Sequence, residues 1–279
     1  AGYTDYGYDV LDGPNAGASA AVGCQCLPGL APANEQDRDR EAVSIYAEMS
    51  GNVMDELQLD VALRTENYSD FGTTTNGKVA MRYELADGVA ARGSFSTGFR
   101  APALQEAYFS SIATNFIDGV PLEVGTFPVD TEPAMALGAK DLEPETSTNI
   151  SAGMTYKDEQ FSLSVDAYQI NVDDRISMSE TFKGDGGRDE NGNLLPGKDT
   201  MANFFAARGI PATGGRYFFN GINTETKGLD IVATMRQDVA MGTLTLKAAM
   251  NFNDTEVTNK DDLVTPDELD PYTQADLLG

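Results

Sequence analysis

The chain has 279 residues with 44 Asp and Glu against 19 Lys and Arg, a net charge of −25 and a pI near 4.1. That balance argues against a nucleic-acid partner, because binding phosphates needs Lys and Arg to displace counterions. Histidine is absent, so Ser-His-Asp triads, Cys-His pairs, His-ligated zinc and membrane hydrolases with a histidine base are excluded, while carboxylate-pair glycosidase chemistry stays open.

Cys24 and Cys26 are too few for a Cys₄ zinc site, and a bridge between such close neighbours is strained; free thiols or a bridge to a partner are equally open. No run of eighteen apolar residues occurs, so no helix is expected to cross a membrane, which says nothing of strands. The chain starts at Ala1, without an initiator methionine, and reads as a mature chain or a fragment.

Residues 1–40 are rich in Gly, Ala, Asp and Pro, carry the turn sequences DGPNAG and LPGLAP, and read as a loop ending in a solvated charge run from Glu35 to Glu41. From Ala42 the pattern alternates. Val43, Ile45, Ala47 and Met49 face one way, and after a turn near 52–55 so do Leu57, Leu59, Val61 and Leu63. Val79, Met81, Tyr83 and Leu85 continue it, and Asp87-Gly88 marks a tight hairpin. The next strand alternates Val89, Ala91, Gly93, Phe95, Thr97 and Phe99 against Ala90, Arg92, Ser94, Ser96 and Arg100.

Residues 101–144 break the rhythm and read as a long loop, with a short helix around 103–110. Strands follow over 145–176, where Ile150, Ala152, Met154 and Tyr156 lead through a turn at 157–160 into Phe161, Leu163, Val165 and Ala167. The apolar positions then change parity to Tyr168, Ile170 and Val172, which a β-bulge near Ala167 or emergence of the strand from a bilayer explains. Residues 177–221 form a second long loop, with a small hairpin expected at Asn191-Gly192. Its DENGN segment is not an EF-hand, since Leu194 stands where the loop glycine belongs. Strands over 222–254 carry Leu229, Ile231, Ala233 and Met235, then Leu244, Leu246, Ala248, Met250 and Phe252; 255–279 reads as acidic loop.

Alternation alone fits a soluble sandwich as well as a membrane barrel. Two features favour the barrel. The tight connections fall at one end of the sheet and the long loops at the other, and each strand keeps one uncharged apolar face opposite a face mixing both charge signs. Tyr83, Tyr156 and Phe161 at strand ends suit an interfacial girdle.

Six segments resemble the C-terminal barrel of TonB-dependent outer-membrane receptors: AVSIYAEM from Ala42, ALRTENYSDFG from Ala62, RGSFSTGFRAPALQE from Arg92, DLEPETSTNISAGM from Asp141, FSLSVDAYQINVDDRI from Phe161 and FFNGINTETKGLDIVA from Phe218. They run in the family's order over most of residues 42–254. The resemblance implies an all-β fold: about eight long antiparallel meander strands forming one arc of a roughly 22-strand transmembrane barrel. It also implies long extracellular loops at 101–144 and 177–221, an outer-membrane location in a Gram-negative bacterium, and no enzymatic role. The implied function is TonB-driven import of a scarce ligand, most often a ferric siderophore, with a passive porin or a soluble carbohydrate-binding sandwich as alternatives. The implied partners are outer-membrane lipid, a plug domain and the TonB complex, the last two through segments absent from this stretch; no cofactor or catalytic residue is expected.

On that reading the ligand candidates are Arg100, Gln105, Tyr108 and Phe109, where a strand leaves the membrane, and Tyr217, Phe218 and Phe219, where the second loop returns. Arg and aromatic side chains suit anionic, catechol-bearing or sugar ligands. Asp60, Arg64, Arg82, Glu84, Arg92, Asp166, Asp230 and Lys247 are expected to face the lumen, with Arg64, Arg82 and Arg92 bonding the plug rather than cargo.

Overall fold

A computed structural model describes residues 1–9, 35–117, 120–184 and 200–260. The alternating segments form one nine-stranded antiparallel meander. In sheet order its strands are β1 (Gly2–Tyr8), β2 (Gln36–Asn52), β3 (Leu57–Tyr68), β4 (Gly72–Ala86), β5 (Val89–Arg100), β8 (Glu145–Lys157), β9 (Phe161–Met178), β11 (Phe218–Val239) and β12 (Gly242–Val257). A three-stranded sheet lies between them in sequence: the hairpin β6 (Ser111–Ile117) and β7 (Val120–Thr126), with β10 (Gly214–Arg216) parallel to β7. Three short helices, α1 (Leu104–Tyr108), α2 (Glu132–Ala136) and α3 (Met201–Ala206), complete the described elements.

The tight turns at 53–56, 87–88, 158–160 and 240–241 share one end of the sheet, and the turn at 69–71 and the strand ends at Tyr8, Gln36, Arg100, Glu145, Met178 and Phe218 share the other. At the Asp87-Gly88 turn, Gly88 takes φ +74, and a Cβ there would sit 2.3 Å from the Lys157 carbonyl oxygen. Only glycine fits.

The apolar faces lie outside. Ile45, Met49, Leu63, Val79, Met81, Phe95, Ile150, Met154, Leu246 and Met250 are all exposed, the reverse of a water-soluble sheet and the arrangement lipid requires. The belt is oblique to the hydrogen-bond ladder. One row of paired residues runs Val61, Val79, Phe95, Ile150, Gln169, Lys227 and Asp254. Val61 is mid-belt on β3, Ile150 is the last apolar outward residue of β8, and Lys227 already lies beyond Leu229 on β11. On β2 the belt reaches Val43, whose partner Asn67 is four residues past Leu63, the last belt residue of β3. The upper edge therefore steps by about one residue per strand. With about 3.3 Å rise and 4.8 Å strand spacing, that stagger is a tilt of roughly 35–40°, as membrane barrels require.

The opposite face is polar and pairs with itself. Arg92 reaches across β8 to Asp166 at 2.7 Å and to Ser164 at 2.8 Å. The crossing passes over Gly153, where a Cβ would lie 2.1 Å from Asp166 Oδ1. Arg64 pairs with Glu66, Arg82 with Glu84 at 3.5 Å, Asp60 accepts from Ser50, and Asp230 accepts from Asn251. All share this face with Lys247. Arg64, Arg82 and Arg92 each pair with a carboxylate of the wall itself and keep about half of their side chains open on this face.

Four expectations change. The loop over 1–40 contains β1, and β2 begins at Gln36, so the charge run from Glu35 is largely strand; Arg40 within it is buried against Asp70 at 2.6 Å. With β1 the main sheet has nine strands, close to the eight or so expected. The last strand runs on to Val257 rather than ending at 254. No bulge falls at Ala167, because β8 and β9 pair in unbroken register from Thr146–Asp173 to Lys157–Ser162. The parity change there marks the belt's end: Gln169 and Asn171 take the outward positions, and Tyr168 turns inward, where its ring lies against Gly228 and its hydroxyl meets Asn251. The register shifts come later, between Asn220 and Thr224, where Asp174 adopts φ 56. Cys24, Cys26, the Asn191-Gly192 hairpin and the DENGN segment lie outside the described residues.

Candidate functional site

The two long connections do not form separate loops. They fold together into a cap with the main apolar core of the described residues, built from Phe127, Leu137, Phe182, Met201, Phe205 and Tyr217 with smaller neighbours. α3 is started by Thr200, whose hydroxyl accepts from the Asn203 amide at 3.1 Å, a helix N-cap. Phe204 and Phe205 follow; Phe205 is fully enclosed, tilted against Phe127 at 5.6 Å and edge-on to Phe204 at 5.2 Å. Backbone bonds join the loops: Phe127 N–H to Arg216 O at 3.0 Å, Phe182 N–H to Gly215 O at 2.8 Å, and Thr213 N–H to Glu123 O at 2.8 Å.

Polar latches fix the cap to the rim. Arg100 bonds Glu106 of α1 at 3.0 Å and Glu145 of β8, whose carboxylate also accepts the Ile176 amide at 2.8 Å. Asn220 accepts from the Glu143 amide at 2.8 Å and donates to the Glu143 and Asp174 carbonyls at 2.7 Å. Arg38 of β2 pairs with Asp130 at 2.9 Å and lies 4.5 Å over the Tyr108 ring.

A cleft of about 1020 Å³ opens between the cap and the start of β11, lined by Lys140, Asp141, Glu143, Phe204, Arg208 and Phe219 among others. The Arg208 guanidinium sits 3.8 Å over the Phe204 ring and is held by Glu132 at 2.9 Å and by the Phe204 carbonyl. The cleft is of ligand size and sets an aromatic face and two cations beside the acids Asp141, Glu143 and Asp174. Among the described residues no three Asp, Glu, His or Cys side chains converge as metal ligands.

The predicted site residues divide. Phe219 lines the cleft. Phe218 packs against the core as a partly buried neighbour. Tyr217 is enclosed, 2% exposed; its hydroxyl donates to the Leu137 carbonyl at 3.2 Å and burial pushes its pKa up to about 12. It holds the cap together and offers no open face. Tyr108 is half-buried under Arg38, burial raising its pKa while the cation opposes that rise. Gln105 is exposed on α1, Phe109 closes that helix through an N–H bond to Gln105 O at 3.0 Å, and Arg100 is a latch. Lys140, Phe204 and Arg208 were not foreseen. The i, i+4 spacing of Phe204 and Arg208 in NFFAAR carries their pairing once a helix is recognised there.

An oblique apolar belt outside, a charged face inside, tight turns at one end and a folded cap at the other define an arc of an outer-membrane β-barrel. The chain matches the family described as TonB dependent receptor-like, beta-barrel over residues 1–275 and belongs to it. It is thus a receptor-class protein of the Gram-negative outer membrane and not an enzyme. No curated protein matches it in sequence. Among solved structures, a variant of the ferric enterobactin receptor PfeA from Pseudomonas aeruginosa is similar at 17% identity and TM-score 0.55, covering 91% of this chain and 31% of that one. The siderophore receptor PirA from Acinetobacter baumannii is similar at 16% identity and TM-score 0.50, covering 77% and 28%. The RagAB peptide importer is similar at 12% identity and TM-score 0.52, covering 81% and 23%. The chain therefore spans between about a quarter and a third of these proteins' lengths. At such identities the likeness is one of fold.

Proposed function

We propose that this chain is the cargo-capturing arc of a TonB-dependent importer, with the cap on the extracellular side and a ferric siderophore as its cargo. The observation that carries this reading is the cap cleft, where Arg208 stacks on Phe204 beside Lys140 and Phe219. Aromatic, anionic chelates are bound by stacking and charge together, and a chain with a net charge of −25 would otherwise repel them. Siderophore receptors are among the structures that share this fold.

The inner face is the surface for a plug domain of the parent receptor. Lys78, Glu48 and Tyr46 border a groove of about 390 Å³ on the wall, and Lys78 and Lys247 have no ion-pair partner among the described residues. Such charges, together with the half-exposed wall arginines Arg64, Arg82 and Arg92, are the contacts for a plug, and TonB would act through that plug.

The test is radio-iron uptake by the full-length receptor in a Gram-negative host lacking its own siderophore receptors. Saturable uptake that stops when a protonophore collapses the proton-motive force is expected. Uptake that continues unchanged would mean a passive pore and end this reading.

A further inference from the structure

Acidic residues outnumber basic ones by more than two to one, 44 to 19, so a sheltered cation without a carboxylate is unexpected here. Arg216 is one. Every other described arginine either holds a carboxylate, as Arg40 does Asp70 and Arg208 does Glu132, or is exposed, as Arg175 and Arg236 are. Arg216 is half-buried at the end of β10, and its Nε donates to Thr126 Oγ1 at 3.0 Å. No described residue takes up its two terminal nitrogens, which leaves a planar fork of N–H donors unused. Desolvation lowers its pKa and no neighbouring charge opposes that.

The setting is constructed rather than incidental. A Cβ at Gly215 would point into the aromatic core, within 3 Å of Phe205, Leu137 and Phe127, so strand alternation sends Arg216 to the opposite face of the small sheet. There it stands beside Thr126, 1% exposed, which is paired in turn with Ser111, 4% exposed. Among the described residues, those in register with it carry hydroxyl groups and no acid. A sheltered guanidinium kept free of carboxylates is unfavourable until an anion arrives.

We propose that Arg216, oriented by Thr126, is an oxyanion-binding position of the cap that receives a catecholate or carboxylate group of the cargo. The choice of cargo rests on the importer reading; the anion site itself does not.

The test compares the full-length receptor in detergent with its Arg216→Met and Arg216→Lys variants. Two probes are used: the anionic ferric complex of dihydroxybenzoate, and a neutral ferric trihydroxamate as control. Calorimetry is expected to show the anionic complex binding roughly tenfold to a hundredfold more weakly to Arg216→Met, the range of a lost charge-assisted hydrogen bond. The neutral complex should be unaffected, and Arg216→Lys should restore part of the loss. Without ligand, Arg216→Met should melt higher than the parent, since it removes an uncompensated charge. Lower melting with unchanged anion affinity would overturn the proposal and make Arg216 a structural residue. Higher melting with no anion binding by either protein would overturn it equally. Anion binding that depends on Arg216 in a receptor that imports no iron would sustain the site and sink the importer reading.

Discussion

The sheet and the cap solve opposite problems with the same residue types. In the sheet, backbone groups are satisfied by the ladder and the apolar side chains face outward, so Ile45 and Met49 are more than seventy per cent exposed, at 75% and 72%. In the cap, the same kinds of side chain turn inward, and Phe182, Phe205 and Leu137 are wholly enclosed. The sheet relies on lipid to cover it, while the cap carries its own core and stands in water. Exposure by itself therefore says nothing about misfolding in this chain. What matters is which side of the belt's edge a residue occupies.

The largest effect that separates the two regions is expected in the cap. Phe205→Ala should cost about 3–5 kcal/mol of local stability, seen as faster hydrogen exchange and proteolysis confined to 101–144 and 200–217, with the sheet unchanged. Next comes the belt. Val61→Arg, mid-belt on β3, should cost about 2–4 kcal/mol, whereas Gln169→Arg on the same ladder row should cost about 0–1 kcal/mol, measured by unfolding from lipid vesicles. Equal costs would mean that the belt follows the rows and that the tilt derived above is wrong.

Two glycines on opposite faces of the wall give a smaller contrast. Gly153→Ala places a Cβ 2.1 Å from Asp166 Oδ1, while at Gly93 the nearest atom would be Ser151 O at 3.4 Å. The first should cost about 1–3 kcal/mol and release Arg92, and the second well under that. The smallest effect is at Tyr217. Tyr217→Phe removes one buried hydrogen bond, worth about 1 kcal/mol. Its phenol stays protonated in the fold up to about 12 but ionises near 10 when unfolded, so the unfolded state holds fewer protons between those values. Its contribution is full below pH 10 and is lost as pH rises toward 12. The difference in phenolate absorbance between parent and variant should titrate in that upper range.

The strands, their faces and the sites of the tight turns were legible because period-two alternation records which side chains meet lipid. Arg92 and Asp166 were placed on one face by parity alone, yet their pairing was not readable. It spans 74 positions in sequence and depends on a glycine in the strand between them. The cap was illegible for a similar reason. Its residues show no period, and the core forms only when 101–144 meets 200–217, so Tyr217 looked like an available aromatic when it is a keystone. The first strand was hidden because Gly2–Tyr8 carries little apolar alternation and is fixed by pairing with β2.

The obliquity of the belt has a consequence for how the wall meets membranes of different thickness. A single rung of paired residues begins at Met49, at the foot of the belt, and has climbed out of the hydrocarbon by Gln169. Hydrophobic mismatch is thereby shared out. A thinner bilayer uncovers a few side chains on every strand instead of stripping one complete rung, and the barrel can answer by a slight change of tilt rather than by breaking a row of hydrogen bonds.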